Sequence, residues 1–135
     1  GRLLMDIPDA DFELQYELPE LPVYVHTDKG RMEQVLNNLI VNAKRNVRPG
    51  GILKLSLTER EGVLDFSIYN QGHCIPEENL SKVWTKFYRD KNTKYSGSGL
   101  GLAIVAQILS MQHFVYGAAN RPDGVAFYFS IPIIK

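Results

Sequence analysis

Cysteine is almost missing from this 135-residue sequence: Cys74 stands alone, so no internal disulfide can form, and the composition suits a reducing compartment. A surplus of either charge is missing as well. Fifteen basic side chains meet fifteen acidic ones, which argues against nucleic-acid binding, a function that usually carries a basic excess. Long hydrophobic runs are missing. The longest, Leu102 to Met111, is about half of what a bilayer crossing needs, and no segment reads as a leader peptide. The three histidines, His26, His73 and His113, lack metal-ligand spacing, and there is no internal repeat, low-complexity tract or linker. What remains is globular in character: 44% apolar and 22% charged residues, in a length suited to one domain with one core.

The hydrophobic periodicity divides the chain into elements. Phe12, Leu14, Tyr16 and Leu18 alternate with polar residues and predict a strand; Val23 to His26 predicts a second, short one. The period then changes. Met32, Val35, Leu36, Leu39, Ile40 and Ala43 recur at helical spacing, with Thr27 or Asp28 as the cap and Pro49-Gly50-Gly51 as the stop. Leu53, Leu55 and Leu57, a turn at Glu59 to Gly62, and Leu64, Phe66 and Ile68 predict a hairpin. A short helix is expected from Ile75-Pro76, with Leu80, Val83, Trp84 and Phe87 on one face. Arg89 to Ser98 reads as a polar, mobile loop, and Leu100 to Met111 as a buried helix. Two closing strands, Phe114 to Asn120 and Val125 to Ile131, flank the turn Arg121-Pro122-Asp123-Gly124. This order predicts an α/β (α+β) two-layer sandwich, with about three helices on one face of a mixed, mostly antiparallel sheet of about five strands.

Four places carry candidate chemistry. Asn38 and Asn42 share one face of the first helix, turned away from its apolar stripe, and Arg45 and Asn46 continue that face. A carboxamide oxygen is a hard, neutral ligand suited to Mg²⁺; the alternative is a solvated helix face, although asparagines weaken a helix for no structural gain. Asn70 has the parity of Phe66 and Ile68, so its amide points coreward and needs partners. It either reads an adenine edge or starts the turn at Gln71-Gly72. Gly97-Ser98-Gly99-Leu100-Gly101-Leu102 runs into a helix, where close backbone approach and unpaired N–H groups suit phosphate; the alternative is a hinge. It matches neither a Rossmann fingerprint nor a P-loop. Arg89, Lys91 and Lys94 either reach the phosphates or are simply exposed. Trp84, Phe87 and Tyr88 read as core rather than base-stacking residues, His26 and His113 as ordinary positions, and Cys74 as a packed loop thiol.

In order and spacing these segments resemble the four boxes of the ATP-binding catalytic domain of bacterial sensor histidine kinases, a member of the wider family that includes Hsp90, MutL and gyrase B. Met32 to Ala43 resembles the N box, Asn70 to Pro76 the first glycine box (D-x-G-x-G-I-P), Trp84 to Arg89 the F box, and Gly97 to Leu102 the second glycine box. The resemblance covers about residues 23 to 132 and implies the Bergerat-type fold. By resemblance, Asn42 is the metal ligand, Asn38 and Arg45 lie beside the phosphates as the catalytic pair, and Asn46, Asn70, Gly72 and Ile75 surround the base. Phe87, Tyr88, Arg89, Lys91 and Lys94 belong to the F box and lid, and Gly97, Ser98, Gly99, Leu100, Gly101 and Leu102 wrap the triphosphate. The implied cofactors are ATP and Mg²⁺. Asn38 stands where hydrolytic relatives carry a water-activating glutamate, which favours kinase over ATPase.

Three positions depart from the pattern: Asn70 for aspartate, Cys74 for the second glycine, and Asn46 for a common aromatic. The Asn70-x-Gly72 pattern resembles that of the vancomycin-resistance sensors. The resemblance further implies γ-phosphate transfer to a histidine on a separate dimerisation domain, with a response regulator as the next partner. No phosphoacceptor segment is present. Residues 1–135 are therefore expected to be a monomeric, excised catalytic fragment without membrane contact, from the cytoplasmic end of a homodimeric membrane sensor. Two alternatives stand beside this reading: a degenerate, regulatory nucleotide-binding module, and a serine kinase of the same fold.

Overall fold

The structure is a computed structural model that describes residues 11–86, 88 and 101–134. Its frame is a five-stranded sheet built from β1 (Phe12–Glu17), β2 (Gly51–Arg60), β3 (Val63–Gln71), β4 (Val115–Arg121) and β5 (Gly124–Pro132). The spatial order is β1-β2-β3-β5-β4. Only β1 runs parallel to its neighbour, pairing Phe12 with Gly51 through Glu17 with Ser56. A parallel pair needs a long crossover, and here the crossover carries helix α1 (Lys29–Asn46). Helix α2 (Gly101–Met111) precedes β4.

Alternation along the strands sets the two faces of the sheet. Leu53 and Leu55 of β2, Phe66 and Ile68 of β3, and Val125, Phe127, Phe129 and Ile131 of β5 turn to the helices. There they join Val35, Leu39 and Ala43 of α1 and Leu102, Val105, Ile108 and Leu109 of α2 in one core cluster. Lys54, Ser67 and Tyr128 occupy the other face. Each fully buried large side chain, such as Phe127 or Leu39, contributes about 1.5–3 kcal/mol relative to exposure. Trp84 lies edge-on to Tyr116 and Phe127, with centroids 5.0 and 5.4 Å apart. It is a packing residue, as the sequence predicts.

Local signals fix the element ends. The Asp28 carboxylate caps α1 by accepting from Arg31 N–H at 3.0 Å. Lys44 and Arg45 in the last turn complement the negative dipole end. The β2–β3 hairpin closes through just two residues, Glu61 and Gly62, both at positive φ (50° and 82°), the geometry that matches strand twist. Helix α2 ends in a Schellman motif: Phe114 N–H donates to Leu109 O and His113 N–H to Ser110 O, both at 3.0 Å, with His113 at φ 62°.

Two expected elements differ. Val23 to His26 forms only an isolated bridge, Val25 with Ile133. The helix expected from Ile75 onward is a pair of 3-10 turns, Glu77–Asn79 and Lys82–Trp84. Asn79 and Ser81 are weak helix formers between them, and the hydrogen bonds close at three residues, as in Thr85 N–H to Lys82 O at 3.0 Å. Val83 is nevertheless fully buried and Leu80 and Trp84 pack against the core. Among the described residues the fold therefore has two α-helices and these two short turns as its helical layer.

Candidate functional site

Helix α1 supplies a column of asparagines. Asn42 is 5% exposed, in contrast to the solvent-side position expected for it. Helix α1 packs against both α2 and β3, so its buried face is wider than the Leu39–Ala43 stripe. Asn38, one turn earlier, is half-buried and donates its Nδ2–H to Gly101 O at 3.2 Å. Asn46, one turn later, donates its Nδ2–H to Asn42 O at 2.8 Å. Arg45 is exposed on the last turn.

Strand β3 delivers Asn70. It is paired with Leu53 on one side and Val125 on the other, and it is completely buried, as its parity predicts. Neither Asn70 nor Asn42 has a protein hydrogen-bond partner at either amide atom. A buried amide group without a partner costs about 1–3 kcal/mol, so two such residues, one on α1 and one on β3, are not explained by folding. Polar groups of the adjoining segment are paired: Ile52 N–H donates to Gln71 Oε1 at 2.9 Å, and Arg48 N–H to Gln71 O at 2.8 Å.

Gly72 brings the end of β3, which carries Asn70, against the last turn of α1, one turn beyond Asn42. A methyl group on Gly72 would stand 2.5 Å from Asn46 O and 3.4 Å from Asn70 Nδ2. Only a residue without Cβ lets the end of β3 meet the end of α1 this closely. Gly72 N–H in turn donates to Asp123 O at 2.9 Å in the β4–β5 turn. The next residues are held from β4. Asn120 accepts from Ile75 N–H at 2.9 Å and donates to Ile75 O at 2.6 Å, while the Ile75 side chain is buried. Sequence reading missed Asn120, and its only signal was a polar residue at the end of a strand. Cys74 is exposed rather than packed, and its thiol donates towards Arg121 O and Gly124 O at 3.4 and 3.5 Å.

Of the second glycine box, Gly101 opens α2 and Leu102 is buried in the core. Tyr88 packs against the core. Phe87, Arg89, Lys91, Lys94, Gly97, Ser98, Gly99 and Leu100, with the loop expected from Arg89 to Ser98, lie outside the described residues.

The chemistry of this donor set fits a nucleotide and a hard cation. Asn70 could offer one donor and one acceptor to a heterocycle edge, the Asn42 Oδ1 is of the kind that could ligate a hard cation, and the N-terminus of α2 stands next to Asn38. Residues 27–135 match the family of histidine kinase-, DNA gyrase B- and HSP90-like ATPases, and the chain belongs to that family. ATP is the family's nucleotide.

Within the family the similarity is to sensor kinases. The probable sensor kinase SilS of Salmonella typhimurium is 35% identical over 118 residues, which is 85% of this chain and 24% of that protein. The sensor protein VanSB of Enterococcus faecalis is 33% identical over 111 residues, 80% of this chain and 25% of that protein. The chain thus spans about a quarter of the length of these relatives. Among solved structures, the nucleotide-free catalytic domain of histidine kinase ThkA superposes with a TM-score of 0.78 at 31% identity, covering 90% of this chain and 80% of that one. ThkA in complex with the response regulator protein TrrA gives 0.76 at 27% identity, over 91% of this chain and 34% of that one. The five-stranded mixed sheet with its helical layer is the fold of these catalytic domains.

Proposed function

We propose that this chain is the catalytic ATP-binding domain of a sensor histidine kinase, and that it binds Mg-ATP and presents the γ-phosphate to a histidine on a separate domain. The observation that carries this reading is the pair of buried asparagines, Asn42 and Asn70, whose amide atoms have no protein partner although they sit on elements joined at Gly72. In this reading Asn70 and Gly72 receive the base, with Ile75 and Asn46 beside it. Asn42 holds the metal, which when bound neutralises phosphate charge. Asn38 and Arg45 face the phosphates, and Gly101 with Leu102 begins the helix that ends the triphosphate loop. Phosphoryl transfer asks mainly for positioning and charge neutralisation. Asn38 has no basic group to activate water, so slow hydrolysis and transfer to a protein acceptor are expected.

The partners that follow are a dimerisation and phosphoacceptor domain of the same parent, itself a homodimer, and a response regulator, by analogy with ThkA and TrrA. Among the described residues no helix is long and apolar enough to cross a membrane. A cytoplasmic domain of a membrane sensor is the placement we propose.

Asn42→Ala separates this reading from a structural one. It relieves a buried amide that has no partner and leaves a small cavity, two opposing effects of similar size, so the thermal midpoint should not fall by more than about 5 °C. Calorimetric affinity for a non-hydrolysable ATP analogue with Mg²⁺ should fall at least about tenfold, roughly one charge-assisted contact. Unchanged affinity with Asn42→Ala would remove the metal assignment. Label transferred from ATP to the supplied phosphoacceptor domain should be lost in acid, because phosphohistidine is acid-labile. Acid-stable label would instead indicate a serine kinase.

A further inference from the structure

Asn70 is a carboxamide at a position where the family pattern has a carboxylate, and the two groups differ in what they can recognise. A carboxylate only accepts hydrogen bonds, whereas a carboxamide carries one acceptor and one donor side by side. A half-turn about χ2 exchanges the two without moving any other atom. In this protein nothing selects one orientation: Asn70 is fully buried, and neither Oδ1 nor Nδ2 is hydrogen-bonded to the protein. The backbone beneath is rigidly placed. Asn70 pairs with both Leu53 and Val125, and Gly124 packs so closely that a Cβ there would meet Asn70 O at 2.0 Å.

The purine edges follow the same logic. Adenine presents a donor at its 6-amino group beside an acceptor at N1. A 6-oxopurine, guanine or hypoxanthine, presents an acceptor at O6 beside a donor at N1. Asn70 matches adenine with Oδ1 towards the amino group and Nδ2 towards N1, and matches the 6-oxopurine after the half-turn. A carboxylate at the same place would set acceptor against acceptor at O6. It would leave a buried group unpaired, which is how polar sites reject analogues.

We infer that this nucleotide site, taken as the base-binding site proposed above, accepts 6-oxopurine nucleoside triphosphates as well as ATP, and that Asn70 is the residue that permits it. The inference rests on the ATP-site reading and extends its substrate class.

The test is calorimetric titration of the wild-type chain, with Mg²⁺, by ATP, ITP and GTP in turn. The expected result is ITP and GTP affinities within about tenfold of ATP, the factor that one neutral hydrogen bond commands. ITP binding without GTP also supports edge reading and restricts the class to hypoxanthine, since only guanine adds a 2-amino group. Asn70→Asp should widen the preference for ATP over ITP by at least about tenfold. Asn70→Leu, which keeps the volume without hydrogen-bonding groups, should weaken all three alike and serves if the buried aspartate prevents folding. Tight ATP binding with ITP and GTP both weaker by more than tenfold overturns the inference and leaves the ATP site standing. No binding of any of the three removes the ATP-site reading itself, and the inference with it.

Discussion

The Asn38 side chain reaches from the middle of α1 to the first residue of α2, donating to Gly101 O at 3.2 Å. The two residues are 63 positions apart, so this bond fixes where the second helix starts relative to the asparagine column. Asn38→Ala should cost about 1 kcal/mol, the net worth of a neutral hydrogen bond. In urea unfolding the midpoint should fall with an unchanged slope. A midpoint equal to wild type would show that the bond carries no stability.

Gly72 cannot accept a side chain. Alanine there would bring Cβ to 2.5 Å from the Asn46 carbonyl oxygen, which is backbone and cannot swing aside. Gly72→Ala should therefore destabilise by about 1–3 kcal/mol, the range for overpacking, and should weaken binding of an ATP analogue. Gly101→Ala, where a Cβ meets nothing within 4 Å, is the control and should leave the thermal midpoint nearly unchanged. Equal melting of both variants would refute the steric account.

Stability should have an acid-sensitive component at Asp65. Arg60 donates to this carboxylate from Nε at 2.8 Å and from Nη2 at 3.2 Å, and Ser130 Oγ donates at 2.6 Å. These bonds, Arg60 first, hold the Asp65 carboxyl below its ordinary range. A depressed native value means that the contribution is present above the unfolded carboxylate value of about 3.9, and is lost as pH falls through the native one. Asp65→Asn should flatten that part of the pH–stability curve. A wild-type acid limb unchanged in the variant would count against the assignment.

His113 closes α2 in the left-handed conformation, at φ 62°. A residue with a Cβ is strained there by about 1–2 kcal/mol, which glycine avoids. His113→Gly should raise stability by about 1 kcal/mol after the entropic cost of glycine in the unfolded chain is subtracted. Differential scanning calorimetry would show it as a higher midpoint; a lower one would mean that His113 makes contacts worth more than the strain.

The legible parts of this fold were those set by local period. Helix α1 and the two hairpins follow from apolar spacing and turn residues within a few positions of one another, and the burial of Asn70 follows from its parity with Ile68. Relations that depend on distant segments were not legible. The parallel pairing of β1 with β2 crosses a whole helix. The burial of Asn42 depends on how α1 packs against segments distant in sequence, β3 and α2; periodicity within α1 alone put that side chain on the wrong side. The 3-10 turns after Ile75 were misjudged because apolar spacing there suits one or two tight turns as well as a helix.

The grip of Asn120 on Ile75 has a consequence for how this region tolerates change. Both bonds end on main-chain atoms of residue 75, so the anchor is indifferent to which side chains the loop carries. The side chain that does the holding lies on a distant edge strand, not in the loop. The course of the chain between Gly72 and Ile75 is thereby held even with a cysteine where the pattern expects glycine.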